Sequence, residues 1–147
     1  MIRRLQCFIN LETISLDLLE TPSLKSDVLS PGETGNYSHI TNIISISNER
    51  LSRTGKECLM TILHECHHSY QSYLCESITG VDEKYLSLEM FRDIKEYEAN
   101  FSDYQEHGED YSKQSVEISA YVHSRITADE YLKRIEELQE EGDKYYT

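Results

Sequence analysis

His64-Glu65-Cys66-His67-His68 contains two histidines four residues apart, with a glutamate directly after the first. On a helix, positions four apart lie on one face with Cβ atoms roughly 5–6 Å from each other. Two imidazoles so placed can converge on one tetrahedral Zn2+ with Zn–N bonds of about 2.0–2.1 Å. A carboxylate at Glu65 can reach a water in the ion's open position without becoming a ligand, which is where a general base is needed. Random ordering of 6 His and 19 Glu over 147 positions produces this H-E-x-x-H spacing only about 3% of the time, so the pattern calls for a physical reading.

The chemistry requires a helix, and the flanking residues supply one. Thr54-x-x-Glu57 reads as a capping box ahead of an apolar run. Leu59, Ile62, Leu63, Cys66, Tyr70, Tyr73 and Leu74 then follow a 3.6-residue period and form a core-facing stripe. His64, Glu65 and His68 fall to one side of that stripe, where they can border a cleft. Cys66 points to a different face and is a poor additional ligand. His67 also points away from the histidine pair, toward a structural or exposed role. Gln71, one turn beyond His68, is placed to orient a ligand from behind.

Two histidines do not complete a catalytic zinc site, which takes three protein ligands and a water. Gln71 and Leu74 stand where a metzincin would need its later glycine-and-histidine signature, so the third ligand must come from further along. Two glutamates qualify, each followed by a small residue that permits close helix approach: Glu117, with Ala120 one turn on, and Glu98, with Ala99 next to it. Tyr111, Tyr121 and His123 lie near the Glu117 segment as candidates to stabilise an oxyanion, with no basis for choosing among them. His39 and His107 carry no signal.

These segments resemble known enzymes. His64-Glu65-x-x-His68-x-x-Gln71 followed by Tyr111-x-x-Gln114-x-x-Glu117-x-x-Ala120 looks like the small bacterial and phage-type zinc peptidases of the gluzincin group. The resemblance implies that Glu117 is the third zinc ligand. Glu98-Ala99-Asn100-Phe101 instead resembles the Glu-Ala-Asn segment of the ImmA/IrrE-type peptidases, although Ser102-Asp103-Tyr104-Gln105-Glu106 replaces the apolar continuation of that type. The resemblance spans roughly residues 40–126. Glu117 is the preferred ligand and Glu98 the alternative.

Around this centre the chain reads as one α+β, zincin-like domain over residues 1–147, with a short N-terminal sheet followed by about four helices and the H-E-x-x-H helix central. Leu5, Cys7, Ile9 and Leu11 alternate with polar neighbours and predict a strand. Residues 21–37, with Pro22, Pro31, Gly32 and Gly35, predict a loop. Residues 38–47 predict a second strand, whose exposed edge could hold an extended peptide. Helices are expected from about Asp82 to Glu106, from near Ser112, and from the capping box Thr127-x-x-Glu130, the last burying Leu132, Ile135 and Leu138.

A formal net charge of −13 argues against nucleic acid or an anionic membrane as partner and permits a peptide or protein substrate. No apolar segment has the character of a signal peptide or membrane span, so cytoplasmic residence is expected. The four cysteines lack metal-ligand spacing and read as reduced packing thiols. The expected function is zinc-dependent peptide-bond hydrolysis with Glu65 as base and His64, His68 and Glu117 as ligands. The alternative is a non-catalytic zinc-binding regulatory or interaction module. Oligomeric state is not legible.

Overall fold

The computed structural model describes residues 1–146 and is α+β, mostly helical. Helix α1 (Ile2–Ser15) opens the chain and is followed by strands β1 (Ser23–Asp27), β2 (Gly35–Ser38) and β3 (Ile43–Ser47). Helix α2 (Asn48–Leu51) is a single turn leading to the long helix α3 (Gly55–Ser77). After α3 come α4 (Glu83–Leu86), a 3-10 turn, α5 (Arg92–Ser102), a second 3-10 turn at Tyr111–Lys113, and α6 (Ser115–Tyr146).

The three strands form one sheet in the order β1-β3-β2. β3 pairs in parallel with β1, Ile44 opposite Leu24, and antiparallel with β2, Ile44 opposite Tyr37. β3 is therefore the middle strand, and the strand just before the H-E-x-x-H helix has neither edge free. The predicted strand over 38–47 divides at a four-residue turn, where Asn42 takes a positive φ of 51°. Asparagine tolerates that left-handed conformation better than most residues.

α3 starts where its capping box predicts. The Thr54 hydroxyl accepts from the Glu57 backbone N–H, and the Glu57 carboxylate accepts from the Thr54 N–H. Its stripe enters the core: Leu59, Ile62, Leu63 and Cys66 are buried with Cys58, against Leu5 and Ile9 of α1, Ile44 and Ile46 of β3, and Ala128 of α6. Tyr70, Tyr73 and Leu74, further along, are half-buried.

Four further expectations are corrected. Residues 2–15 form a helix, not a strand, so a helix precedes the sheet. Leu5 and Ile9 are four apart and satisfy both periods. The buried set continues to Glu12 and Thr13 while Leu11 stays exposed, which is the helical choice. The loop over 21–37 contains β1 and most of β2. β1 has the polar sequence Ser-Leu-Lys-Ser-Asp and little strand character of its own. It is held by β3 and by Gln6 of α1, whose side-chain oxygen accepts from the Leu24 N–H at 2.8 Å and whose nitrogen donates to the Pro22 carbonyl at 3.0 Å.

The helix over 82–106 is interrupted at Leu88, which is extended, and ends at Ser102. Gly108 (φ 104°) lies in the following loop. Ile94, Tyr97 and Phe101 are half-buried, and Met90 is exposed. Finally, the two C-terminal helices are one: Thr127 sits in the middle of α6 and caps nothing. Leu132 packs against the core, whereas Ile135 and Leu138 are exposed, because the end of α6 has passed the elements that would cover it.

α6 is tied to α1 by a buried carboxylate. Glu12, 1% exposed, accepts from the Tyr131 hydroxyl and pairs with His123 Nε2, both at 2.8 Å. A buried carboxylate is tolerable when its oxygens are matched in this way. No helix among the described residues is long and apolar enough to cross a membrane. All four cysteines are free thiols, with Cys58 and Cys66 buried.

Candidate metal centre

α3 presents His64 and His68 on the side facing the start of α6, and Glu117 arrives there from the first turn of α6. Val116 and Ala120, on either side of Glu117, are fully buried, so the two helices approach closely at this point. The ligand atoms of His64, His68 and Glu117 all lie within 4.8 Å of one another. His64 Nε2 is 3.0 Å from Glu117 Oε2, His68 Nε2 is 3.3 Å from Glu117 Oε1, and the two Nε2 atoms are 3.1 Å apart. The imidazole rings stand nearly perpendicular, at 86°. Two nitrogen donors and a carboxylate suit Zn2+.

One hydrogen-bond chain fixes the orientation of His68. The Val116 carbonyl can only accept, so Gln71 must turn its Nε2 toward it, at 3.0 Å. Gln71 Oε1 then faces His68 Nδ1 at 2.8 Å and accepts its proton. In the neutral ring that metal binding requires, this leaves Nε2 with its lone pair toward the cluster, so binding an ion would displace the proton that Nε2 otherwise shares with Glu117. Gln71 is fully buried, as a side chain with both ends occupied can be. The sequence-based placement of Gln71 behind His68 agrees with this geometry.

Electrostatics follow from burial and pairing. Burial alone would raise the Glu117 carboxyl, but hydrogen bonds from His64, His68 and Tyr104 outweigh it and hold the group well below the usual carboxylate range. Burial pulls His68 down, yet its bond to Glu117, the nearby Glu65 charge and Gln71 carry it up to about 8. Glu65, 6% exposed, is pushed upward by burial, partly offset by the two histidines. A carboxylate whose pKa is raised in this manner is a stronger base than an exposed glutamate.

β2 passes directly over this carboxylate. A Cβ on Gly35 would lie 3.3 Å from Glu65 Cγ, 2.8 Å from Thr61 Cγ2 and 3.1 Å from the Ser45 carbonyl oxygen. Only glycine lets the strand lie so close to α3. β2 is one of the two outer strands of the sheet, and its far edge has no strand partner among the described residues.

Glu98 is exposed on α5 and is not among the converging ligands, which gather Glu117 instead. Of the residues weighed for the oxyanion, Tyr121 is exposed and bonded to Arg125, and His123 is engaged with Glu12. Tyr111 is half-buried, its ring edge-on to Tyr104 at 6.2 Å. Tyr104 itself was missed. It continues the helical spacing of Tyr97 and Phe101 and reads as another core residue, but it lies beyond the end of α5 and donates its hydroxyl to Glu117 Oε1 at 2.5 Å. No local sequence signal marks it.

His67 is buried. Its Nε2 contacts the Ser119 hydroxyl at 2.8 Å and its ring stacks on His123 at 4.6 Å, while its Nδ1 has no hydrogen-bond partner among the described residues. Burial, with His123 alongside, drives its pKa down to about 3. It is a neutral packing histidine. Cys66 is not among the converging ligands, and burial raises its thiol well above the ordinary range.

Protein-family models, curated proteins and solved structures give no match to this chain.

Proposed function

We propose that this chain is a zincin-like, zinc-dependent metallopeptidase that hydrolyses a peptide bond in a peptide or protein substrate. The observation that carries the reading is the convergence of His64, His68 and Glu117 within 4.8 Å beside a buried glutamate. A Zn2+ held by these three groups would supply Lewis acidity toward the scissile carbonyl and an acidified water. Gln71 keeps His68 in the ligating tautomer. Glu65 takes the proton of the attacking water and delivers it to the leaving amine nitrogen. The outer edge of β2, rather than the strand expected from sequence, is the place for an extended peptide to add main-chain hydrogen bonds close to Glu65.

A structural zinc site is normally closed by a fourth protein ligand. Three groups converge among the described residues, and a buried base next to them has no use in a closed site. Both points favour catalysis over a zinc-stapled interaction module.

The test is Glu65→Gln. Zinc content should match the unmodified protein, while cleavage of a susceptible peptide falls by at least about 100-fold, the lower end of what a positioned general base contributes. Undiminished turnover in a zinc-loaded Glu65→Gln preparation would overturn the mechanism.

A further inference from the structure

The segment between α5 and α6, residues 103–114, is mostly exposed, yet one side chain binds it to the body of the protein. Gln114 makes four hydrogen bonds. Its Oε1 accepts from the Gln105 N–H at 2.8 Å and from Asn100 Nδ2 at 3.1 Å. Its Nε2 donates to the Gln105 carbonyl at 2.9 Å and to the Tyr111 carbonyl at 3.1 Å. Gln114 thus occupies both backbone groups of the residue next to Tyr104, as a neighbouring strand would. Asn100 completes the clamp from α5, with its Oδ1 accepting from the Val116 N–H at 3.1 Å and the Ser115 hydroxyl at 3.3 Å at the start of α6. The two segments that competed as ligand motifs in the sequence are therefore joined: Asn100 of one caps the helix that carries Glu117 of the other.

The end product of this clamp is the Tyr104 hydroxyl on Glu117 Oε1. Partners that hydrogen-bond a ligating carboxylate fix its orientation, and their loss typically weakens metal binding roughly 10- to 100-fold. We propose that Gln114 and Tyr104 form a positioning pair for the metal centre, with Gln114 holding the Gln105 backbone so that Tyr104 orients Glu117 toward a divalent cation. The proposal rests on the metal site of the preceding reading, and not on the identity of any substrate.

The probe is Zn2+ or Co2+ alone, titrated into the chelator-treated full chain. Tyr104→Phe should lower affinity roughly 10- to 100-fold and shift the visible absorption bands of the Co2+-loaded protein, because a ligand oxygen has lost its partner. Gln114→Ala should do the same, and in the Tyr104→Phe background it should add little, since the two act in series. Should Gln114→Ala fail to fold, Gln114→Glu takes its place, as it keeps both acceptor bonds and loses both donor bonds. Unchanged affinity and spectrum in Tyr104→Phe overturn the pairing, as does full additivity in the double variant. Failure of the unmodified chain to bind either ion overturns the metal site itself, a result distinguishable from the others.

Discussion

Tyr37 shows how a single side chain ties the strand beside the candidate site to its turn. It sits on β2, half-buried, and its hydroxyl donates to Asn42 Oδ1 at 3.1 Å, the residue that takes the left-handed conformation. Burial, with the Glu76 and Glu20 charges adding to it, raises its pKa to about 12 from an ordinary 10. The folded state therefore holds this proton more tightly than the unfolded chain does. The sign is then fixed: the contribution to stability is complete below pH 10 and is lost as pH rises toward 12. Tyr37→Phe should cost about 0.5–1.5 kcal/mol at neutral pH for the lost hydrogen bond. It should also make the fall in stability between pH 10 and 12 shallower than in the unmodified protein. Urea denaturation across that range is the measurement, and parallel alkaline limbs would contradict the assignment.

At the scale of elements, the contact of β2 with α3 is the most demanding. Gly35→Val would set a branched side chain against Thr61, the Ser45 carbonyl and Glu65, and the carbonyl belongs to the adjacent strand and cannot swing away. Overpacking of this kind costs about 1–3 kcal/mol. The strand should move off the helix, so peptide cleavage should suffer more than zinc affinity; equal losses of both would argue against β2 as part of the substrate site. α1 and α6 likewise depend on contacts that neighbouring residues do not encode. Leu5 and Ile9 fit a strand and a helix alike, and the choice falls to Glu12, whose carboxylate is acceptable inside only because Tyr131 and His123 come from more than a hundred residues away. In α6 the Thr127-x-x-Glu130 spacing is a cap only if a helix begins there, and the upstream turn, capped by Asn100 from another helix, already carries the helix through.

Over the whole molecule, the candidate ligands join α3 to α6, His64 and Glu117 lying 53 positions apart in the chain. An ion bound to the folded state and not to the unfolded chain stabilises by about 2.7 kcal/mol at a free concentration one hundred times its dissociation constant. For a chain of this length that corresponds to a rise in Tm of very roughly 5–10 °C. Thermal unfolding with and without chelator should show the rise, and His68→Ala should abolish it. An unchanged Tm in the unmodified protein under saturating zinc would contradict a shared site between the two helices.

Neighbouring residues alone encode the H-E-x-x-H helix, its capping box and the buried first half of its stripe, because helical period and capping are local rules, and they left Gln71 as one candidate to sit behind His68. They also offered Glu117, preferred on the resemblance, with Glu98 as the alternative, since either could follow a small-residue helix contact. The packing of the first turn of α6 against α3 gathers Glu117 beside His64 and His68 and leaves Glu98 exposed, a contact between distant segments that no local pattern specifies. Tyr104, Asn100 and Gln114 were invisible for the same reason: what they do depends on hydrogen bonds between segments, and no spacing within the chain encodes which backbone groups will be left needing a partner.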